Sequence, residues 1–420
     1  MVMLTQRFPA DAPVEADALV ERLRTESEGS RLRFGDERIV EFLGRFGRKL
    51  LAPAVARRFP ELASLGFFLR KGELARALSR MDIKDRSALR FPRGLVFHVP
   101  PANVDTMFVY SWALSALAGN RNVVRVSSRS AEAADGVLEA LNAALGEVPG
   151  DTAEVIGRTQ RMVTYDRGDN ASATLSAACD LRVVWGGDDA VRALRQYPLA
   201  PHARDLTFPG RSSFAIVSVS GWRRASEGER RRAAELFYND SYWFDQAACS
   251  SPLAVFWVGD PDGAAEATTQ FQALLTDVLL DRKHVTDPAM AVQKRVSAYG
   301  SAIDGTAERI TFTGPAGDVN GVLTMELSSP EAVPRQWSGA GSFGVGRVRT
   351  LAELARIVVR KDQTVTHFGF DADELVEFAR DLAGRGVDRI VPFGSALTFS
   401  AVWDGYDLLG EFSRLVTVAF

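Results

Sequence analysis

Residues 94–129 read GLVFHVPPANVDTMFVYSWALSALAGNRNVVRVSSR, and their succession of strand, helix and strand decides the fold. Gly94 to Val99 is a short apolar run closed by Pro100-Pro101, a strand followed by a breaker. Asn103 to Ala118 is apolar and of helix length, and Gly119-Asn120 suits its C-terminus. Asn122 to Val126 is a second strand. Outward from this stretch the alternation continues. Ala131 to Leu145 reads as a helix, Ala153 to Ile156 and Met162 to Thr164 as short strands, Leu181 to Trp185 as a strand and Asp188 to Tyr197 as a helix. Strands that are apolar throughout and alternate with helices indicate βαβ units and a parallel sheet. A second series begins at Ser213 to Ser218. It continues through helix 226–238, strand 253–258, helix 263–280, helices 351–359 and 371–384, and strand 388–393.

Residues 13–90 read mostly as helices, over Val14 to Thr25, Asp36 to Arg57 and Gly72 to Leu78. The join near Pro209-Gly210-Arg211 divides the two series. The expected domains are therefore 1–210, 211–395 and a C-terminal segment 396–420. The tail from Leu415 is an apolar strand expected to pair with another subunit, which points to a homo-oligomer.

The 420 residues are 46% hydrophobic and 25% charged, as in an ordinary globular protein. A net charge of −3 gives no electrostatic case for a nucleic-acid or anionic-membrane partner. Two cysteines make no disulfide framework, and reduced thiols point to the cytoplasm. No segment has the run of ~20 apolar residues of a membrane span. Four histidines lie far apart without metal-ligand spacing, so no metal is expected.

Several constellations could carry chemistry, and each has a plain structural reading beside it. Phe244 to Pro252 reads FDQAACSSP and places Cys249 just before an apolar strand. A cysteine there is either a small buried apolar residue or a nucleophile at the mouth of a strand. Asn103, at a strand-to-helix turn, either caps the helix or aims an amide at an oxyanion. Arg125, Ser127, Ser128 and Arg129 follow a strand. They form either a solvated loop or a phosphate and ribose contact. Gly186 and Gly187 are either a tight turn or an approach for a phosphate to a helix N-terminus. The stretch Gly339 to Gly344 matches G-x-G-x-x-G literally but follows a poor strand, and reads as a flexible glycine loop.

Taken together, GLVFHVPPANVDTMFVYSWALSALAGN, VVRVSS, CDLRVVWGGDDAVRAL, DLTFPGRSSFAIV, FDQAACSSP, KDQTVTHFG and DRIVPFGSALTFSAVWDGYDLL resemble the LuxC-type long-chain acyl-CoA (fatty acid) reductase family, within the aldehyde dehydrogenase superfamily. The resemblance runs from about residue 90 to about residue 410 and is weak before that. It implies an aldehyde-dehydrogenase-like α/β fold, with a Rossmann-type parallel-sheet cofactor domain and an α/β catalytic domain. Cys249 matches the catalytic cysteine, with Gln246 at the polar position before it. Asn103 matches the asparagine that forms the oxyanion hole with the Cys249 N–H. Arg125 stands where the superfamily has a lysine near the adenosine ribose. Gly186 and Gly187 match the pyrophosphate turn.

Two departures shape the expected activity. The superfamily's glutamate general base precedes a Gly-Gly-Lys, but the matching stretch here, Leu206 to Arg211, has no glutamate. Ser128 stands roughly where NAD-preferring members carry a ribose-binding glutamate. The resemblance therefore implies NADPH-dependent reduction of an acyl-CoA or other acyl thioester to an aldehyde, with an acyl-transferring partner protein as one donor. Oxidative CoA acylation of an aldehyde and a non-catalytic scaffold of the same fold are the alternatives.

Overall fold

A computed structural model describes residues 2–25, 31–82, 87–101, 107–127, 132–166, 170–314 and 321–419. The chain forms two compact units, residues 1–209 with 399–420, and residues 210–398. The first unit contains strands β1 (Met3–Phe8), β2 (Ala12–Glu15), β3 (Ala88–Pro92), β4 (Leu95–Val99), β5 (Arg121–Arg125), β6 (Gln160–Thr164), β7 (Leu181–Trp185) and β8 (Arg204–Phe208). All but β3 form one sheet in the order β2-β1-β6-β5-β4-β7-β8. Strands β4 to β8 are mutually parallel, and β1 joins antiparallel. The strands are apolar on both faces because both faces are covered. Helices Glu37–Leu50, Met107–Leu117 and Glu132–Leu145 pack on one side, and Ala16–Arg24 and Ala171–Ala178 on the other. The chain runs β4, β5, β6 in one direction and then returns to β7 and β8 on the opposite side of β4. The carboxyl ends of β4 and β7 thus flank a topological switch point.

The second unit has a sheet of its own: β9 (Ser212–Ser218), β10 (Pro252–Val258), β11 (Ala307–Thr313), β12 (Val322–Leu327), β13 (Ser342–Val348), β14 (Asp362–Phe368) and β15 (Arg389–Pro392). Its order is β11-β12-β13-β10-β9-β14-β15, parallel except for β11. Helices Glu227–Tyr242 and Pro261–Asp281 cover one face, and Leu351–Ile357 and Ala372–Asp381 the other. Three short strands follow: β16 (Val402–Trp403), β17 (Tyr406–Asp407) and β18 (Ser413–Thr417). Among the described residues, no helix is long and apolar enough to cross a membrane.

Four local expectations are corrected. Ala153 to Ile156 lies within a helix, Gly150–Thr159, because its buried residues Thr152, Val155, Ile156 and Thr159 follow helical spacing. The N-terminal stretch contributes a β-hairpin, β1–β2, as well as helices. The helix expected over Asp36 to Arg57 is two helices, Glu37–Leu50 and Pro53–Arg58, because Pro53 supplies no N–H and starts a new first turn. The tail strand β18 pairs within its own chain, antiparallel to β3, with Ser413 opposite Pro92 and Thr417 opposite Ala88. Residues Leu89 and Leu415 of this two-stranded ribbon remain exposed.

One buried polar chain ties the first unit together. Trp185 donates its indole N–H to Ser111 Oγ (3.2 Å), which lies 2.9 Å from His98 Nδ1. His98 Nε2 lies 2.9 Å from Asn122 Oδ1, which can only accept, so the proton is placed on Nε2. Asn122 donates onward to Gln160 Oε1 (2.8 Å). Asn120 receives the Arg93 and Gly94 amides and donates to the carbonyl of Phe412 (2.8 Å), which anchors the returning C-terminal segment. Burial pushes the His98 imidazole down to about 4 against the donor-accepting partner Asn122. The unfolded chain, with an ordinary histidine near 6.5, therefore binds more protons than the folded one between pH 6.5 and 4. Stability is lost as pH falls through that window, by about 3 kcal/mol over its full width and about 2 kcal/mol by pH 5. Urea unfolding at pH 7 and pH 5 should show this loss, and a His98→Gln variant should shrink the pH 7-to-5 difference by about 2 kcal/mol.

Candidate active site

The first unit opens a cleft of about 680 Å³ at the switch point. Pro100 and Pro101 follow β4, Arg125 and Ser127 follow or end β5, and Gly186 and Gly187 follow β7. Four residues singled out from the sequence, Arg125, Ser127, Gly186 and Gly187, thus meet in one concavity. Asn103, Ser128 and Arg129 lie outside the described residues. The indole of Trp185 stacks on Phe208 at 3.6 Å between centroids and fixes the strand end from which the glycine turn departs. Gly187 is the N-cap of helix Asp188–Arg195 and provides no side-chain cap. A Cβ placed on it would meet nothing within 4 Å, so the space before the helix amides is open.

The fit of this cleft to a nicotinamide dinucleotide rests on Arg125. Its guanidinium lies over the Tyr165 ring, 4.9 Å from the centroid, and its Nε is buried with no hydrogen-bond partner among the described residues. A buried guanidinium N–H without an acceptor is costly, and a ribose or phosphate oxygen would supply one. The sequence reading missed Asp166, Asp189 and Tyr197, which also line the cleft. They come from segments about 40 to 70 residues away from Arg125, and no local pattern marks them. Asp189 faces Arg192 at 2.5 Å in the first turn of the helix.

In the second unit, Cys249 sits just before β10, at the amino edge of the sheet. Its loop is held by three side chains. Ser213 Oγ, at the start of β9, donates to the Cys249 carbonyl (2.7 Å) and accepts the Thr364 amide of β14 (3.1 Å). Gln246 is almost fully buried, and its carboxamide makes four bonds. Nε2 donates to the carbonyls of Pro252 (2.7 Å) and Ser342 (2.9 Å), and Oε1 accepts the amides of Gly341 (2.9 Å) and Ser342 (3.2 Å). Asp245 and Gln246 have φ of 50° and 62°, which non-glycine residues adopt only when the surroundings hold them there. Ser251 Oγ donates to the Asp240 carbonyl (2.7 Å).

The carboxylate of Asp240 accepts the amides of Gly394 (2.7 Å) and Ala396 (2.9 Å). Burial pushes this carboxyl up to about 7 in spite of those donors and of Arg389. Arg389 grips the carbonyls of Ser395, Ala396 and Thr398 in the same loop.

This arrangement corrects the reading of Gly339 to Gly344. The stretch is buried rather than a flexible loop, and from Ser342 onward it is the start of β13, a strand with neighbours on both sides. Gly341 has a φ of +75°, and a Cβ there would lie 2.6 Å from the Tyr242 hydroxyl. Its glycines serve close packing, Gly339 against Lys294, Gly341 against Tyr242 and Gly344 against Pro334, instead of a phosphate.

The two thiols differ. Cys179 is buried in the first unit's core, its Sγ bonded to the Ser176 carbonyl, and burial pushes it up to about 12. Cys249 is partly exposed. Among the described residues no group of His, Cys, Asp and Glu could hold a metal ion.

The sequence pattern of the family described as Acyl-CoA reductase (LuxC) matches residues 73–311, more than half of the chain. The chain belongs to the acyl-CoA reductase (LuxC) family. It is 25% identical over 331 residues to a long-chain acyl-protein thioester reductase of Aliivibrio fischeri, covering 77% of this chain and 63% of that protein. It is 24% identical over 172 residues to long-chain acyl-protein thioester reductase 2 of Photobacterium leiognathi, covering 40% and 33%. This LuxC-family chain thus spans less than two thirds of the length of these relatives. Its fold is that of the aldehyde dehydrogenases. An NAD-dependent aldehyde dehydrogenase from Sinorhizobium meliloti superposes with a TM-score of 0.68 at 14% identity, covering 96% of this chain and 87% of that one. The P. syringae indole-3-acetaldehyde dehydrogenase, solved with NAD+, gives 0.63 at 12% identity, covering 100% and 92%.

Two measurements check the site. Iodoacetamide at pH 8 should modify Cys249 in the folded protein and leave Cys179 unlabelled until unfolding, as read by peptide mass. Replacing Gln246 by Ala strands two amides and two carbonyls, and should cost about 3 kcal/mol in urea unfolding.

Proposed function

We propose that this protein reduces acyl thioesters to aldehydes with NADPH, carrying the acyl group on Cys249. The observation that carries this reading is the framed position of Cys249. It is the partly exposed thiol of the two, and its carbonyl and both flanks are pinned by Ser213, Gln246 and Ser251. A nucleophile needs such fixed geometry.

In the proposed reaction the Cys249 thiolate attacks the acyl carbonyl carbon. A new C–S bond forms, the bond to the carrier breaks, and the carrier sulfur leaves with a proton as the free thiol. The Cys249 N–H and, by family resemblance, Asn103 stabilise the oxyanion. The acyl group on Cys249 remains a thioester, so its carbonyl carbon is still electrophilic. The nicotinamide, when bound, supplies the hydride. Cys249 then holds a thiohemiacetal, which collapses as the C–S bond breaks, releasing the aldehyde and returning the thiolate. The stretch Leu206 to Arg211 brings no carboxylate to activate water. Its last residue, Arg211, is engaged by Asp388 (2.6 Å) and the Asp362 carbonyl (2.9 Å). Reduction is thereby favoured over hydrolysis.

Arg125, with its unsatisfied buried Nε, supports binding of a 2′-phosphate. Asp166 in the same cleft favours the second reading, NADH, by repelling that phosphate. The names of the relatives extend the proposed donors from CoA thioesters to acyl groups on a partner protein. The exposed apolar residues Leu89, Leu415 and Val416 on β3 and β18 support assembly into a homo-oligomer.

Supplied with acyl-CoA, the protein should oxidise NADPH with formation of aldehyde. Cys249→Ala should lower kcat at least ~1000-fold, and a variant with full activity would refute the mechanism. Arg125→Ala should raise KM for NADPH roughly tenfold and leave KM for NADH nearly unchanged. Ser128→Glu should turn the preference toward NADH; no turn would mean that Ser128 is not at the ribose.

A further inference from the structure

We propose that a second cleft in the first unit, lined by arginines at the amino ends of its strands, binds a nucleotide carrying two or more phosphates. The cleft has a volume of about 1400 Å³. Its lining includes Gly94, Arg121 and Asp180, which precede or open β4, β5 and β7, whereas the cofactor cleft lies beyond the opposite ends of the same strands. Five-residue strands separate the two edges by roughly 17 Å, so one diphosphate could not serve both.

The charge of this cleft is unlike that of the chain. Seven arginines line it against three acids, with no lysine, in a protein of net charge −3. Two of the acids, Asp36 and Asp180, are already engaged. Asp36 caps helix Glu37–Leu50 and pairs with Arg38 (2.9 Å). Asp180 accepts the Leu95 amide (2.7 Å) and faces His202 (3.2 Å). Several arginines are left with unmet demand. Arg90 lies over the Phe34 ring and donates to Ser413 Oγ (2.8 Å), but its Nε is buried without a partner among the described residues. Arg33 and Arg414 have no ion pair among the described residues. Burial and the neighbouring Arg204 and Arg414 pull the Arg93 guanidinium below its usual range, although Glu411 lies close by. Like charges brought together in a concave site repel, and an anion removes that cost.

The chemistry favours phosphate. Guanidinium forks from separate backbone segments, 31–38, 90–93, 121 and 414, converge on one concavity, which suits a compact ligand with several charges. The surplus of four positive charges balances the about four negative charges of a nucleoside triphosphate or of the 3′-phospho-ADP end of coenzyme A near neutral pH. Phe91, also in the lining and 41% exposed, offers a ring on which a base can stack. The binding does not depend on the reductase reading and is measured without turnover.

The test is calorimetric titration of the whole chain with ATP, coenzyme A and inorganic pyrophosphate. It is run on the wild type, on R33E/R414E, and on R125A, which alters the other cleft. The expected result is saturable binding of at least one nucleotide, weakened at least tenfold by R33E/R414E and unchanged in R125A. Tighter binding of coenzyme A than of ATP assigns the site to the coenzyme, and the reverse order assigns it to the free nucleotide. Binding lost in R125A but kept in R33E/R414E would move the phosphate to the cofactor cleft and overturn the proposal. So would the absence of binding by all three ligands. Thermal unfolding verifies that R33E/R414E is folded; should it not be, the exposed Arg414→Ala alone is expected to weaken nucleotide binding at least threefold, and no weakening counts against the site.

Discussion

The carboxamide of Gln246 is the contact on which the cysteine loop depends. Its two donors and one doubly accepting oxygen are all used, and they join the end of the cysteine loop at Pro252 to the start of β13 at Gly341 and Ser342. An amide that satisfies four buried backbone groups is hard to replace, because each stranded group carries its own desolvation cost. The left-handed backbone of Asp245 and Gln246 is the local strain that this network sustains. The same demand shapes the first unit. There the side chains of His98, Asn120, Asn122 and Gln160 form a buried chain that reaches the C-terminal segment through the Phe412 carbonyl.

Sheet topology then sets what each edge can do. In the first unit the strand order reverses beside β4, so the carboxyl ends of β4 and β7 part and leave room for a ligand. The amino edge of the same sheet gathers arginines from four segments. In the second unit the candidate nucleophile occupies the amino edge instead, before β10, where Ser213 at the start of β9 and, through Gln246, Ser342 at the start of β13 hold its loop. The placement of Cys249 is therefore set by the starts of strands. The proposed cofactor contacts owe theirs to strand ends.

Much of this was legible along the chain. Continuous apolar strands, broken by Pro100-Pro101 and Gly186-Gly187, mark a parallel sheet covered on both faces, and the order of elements from Gly94 to Leu145 is as the pattern implies. The failures have local causes. Ala153 to Ile156 is an apolar run too short to separate strand from helix by composition. Gly339 to Gly344 looks loose because glycine signals conformational freedom, and here that freedom is spent on close packing against Tyr242. The tail strand was visible as an edge, but its partner β3, more than 320 residues earlier, was not.

The sequence by itself determined the fold class, the family, and the two residues most exposed to chemical interpretation, Cys249 and Arg125. Each stands in a motif whose order along the chain is specific. Only the tertiary structure decided which thiol is reachable, that Arg125 shares its cleft with Asp166, and that seven arginines meet at one edge. Those facts are set by pairs of residues far apart in the chain. Burial and electrostatics act through space, and neither leaves a mark on the local pattern of side chains.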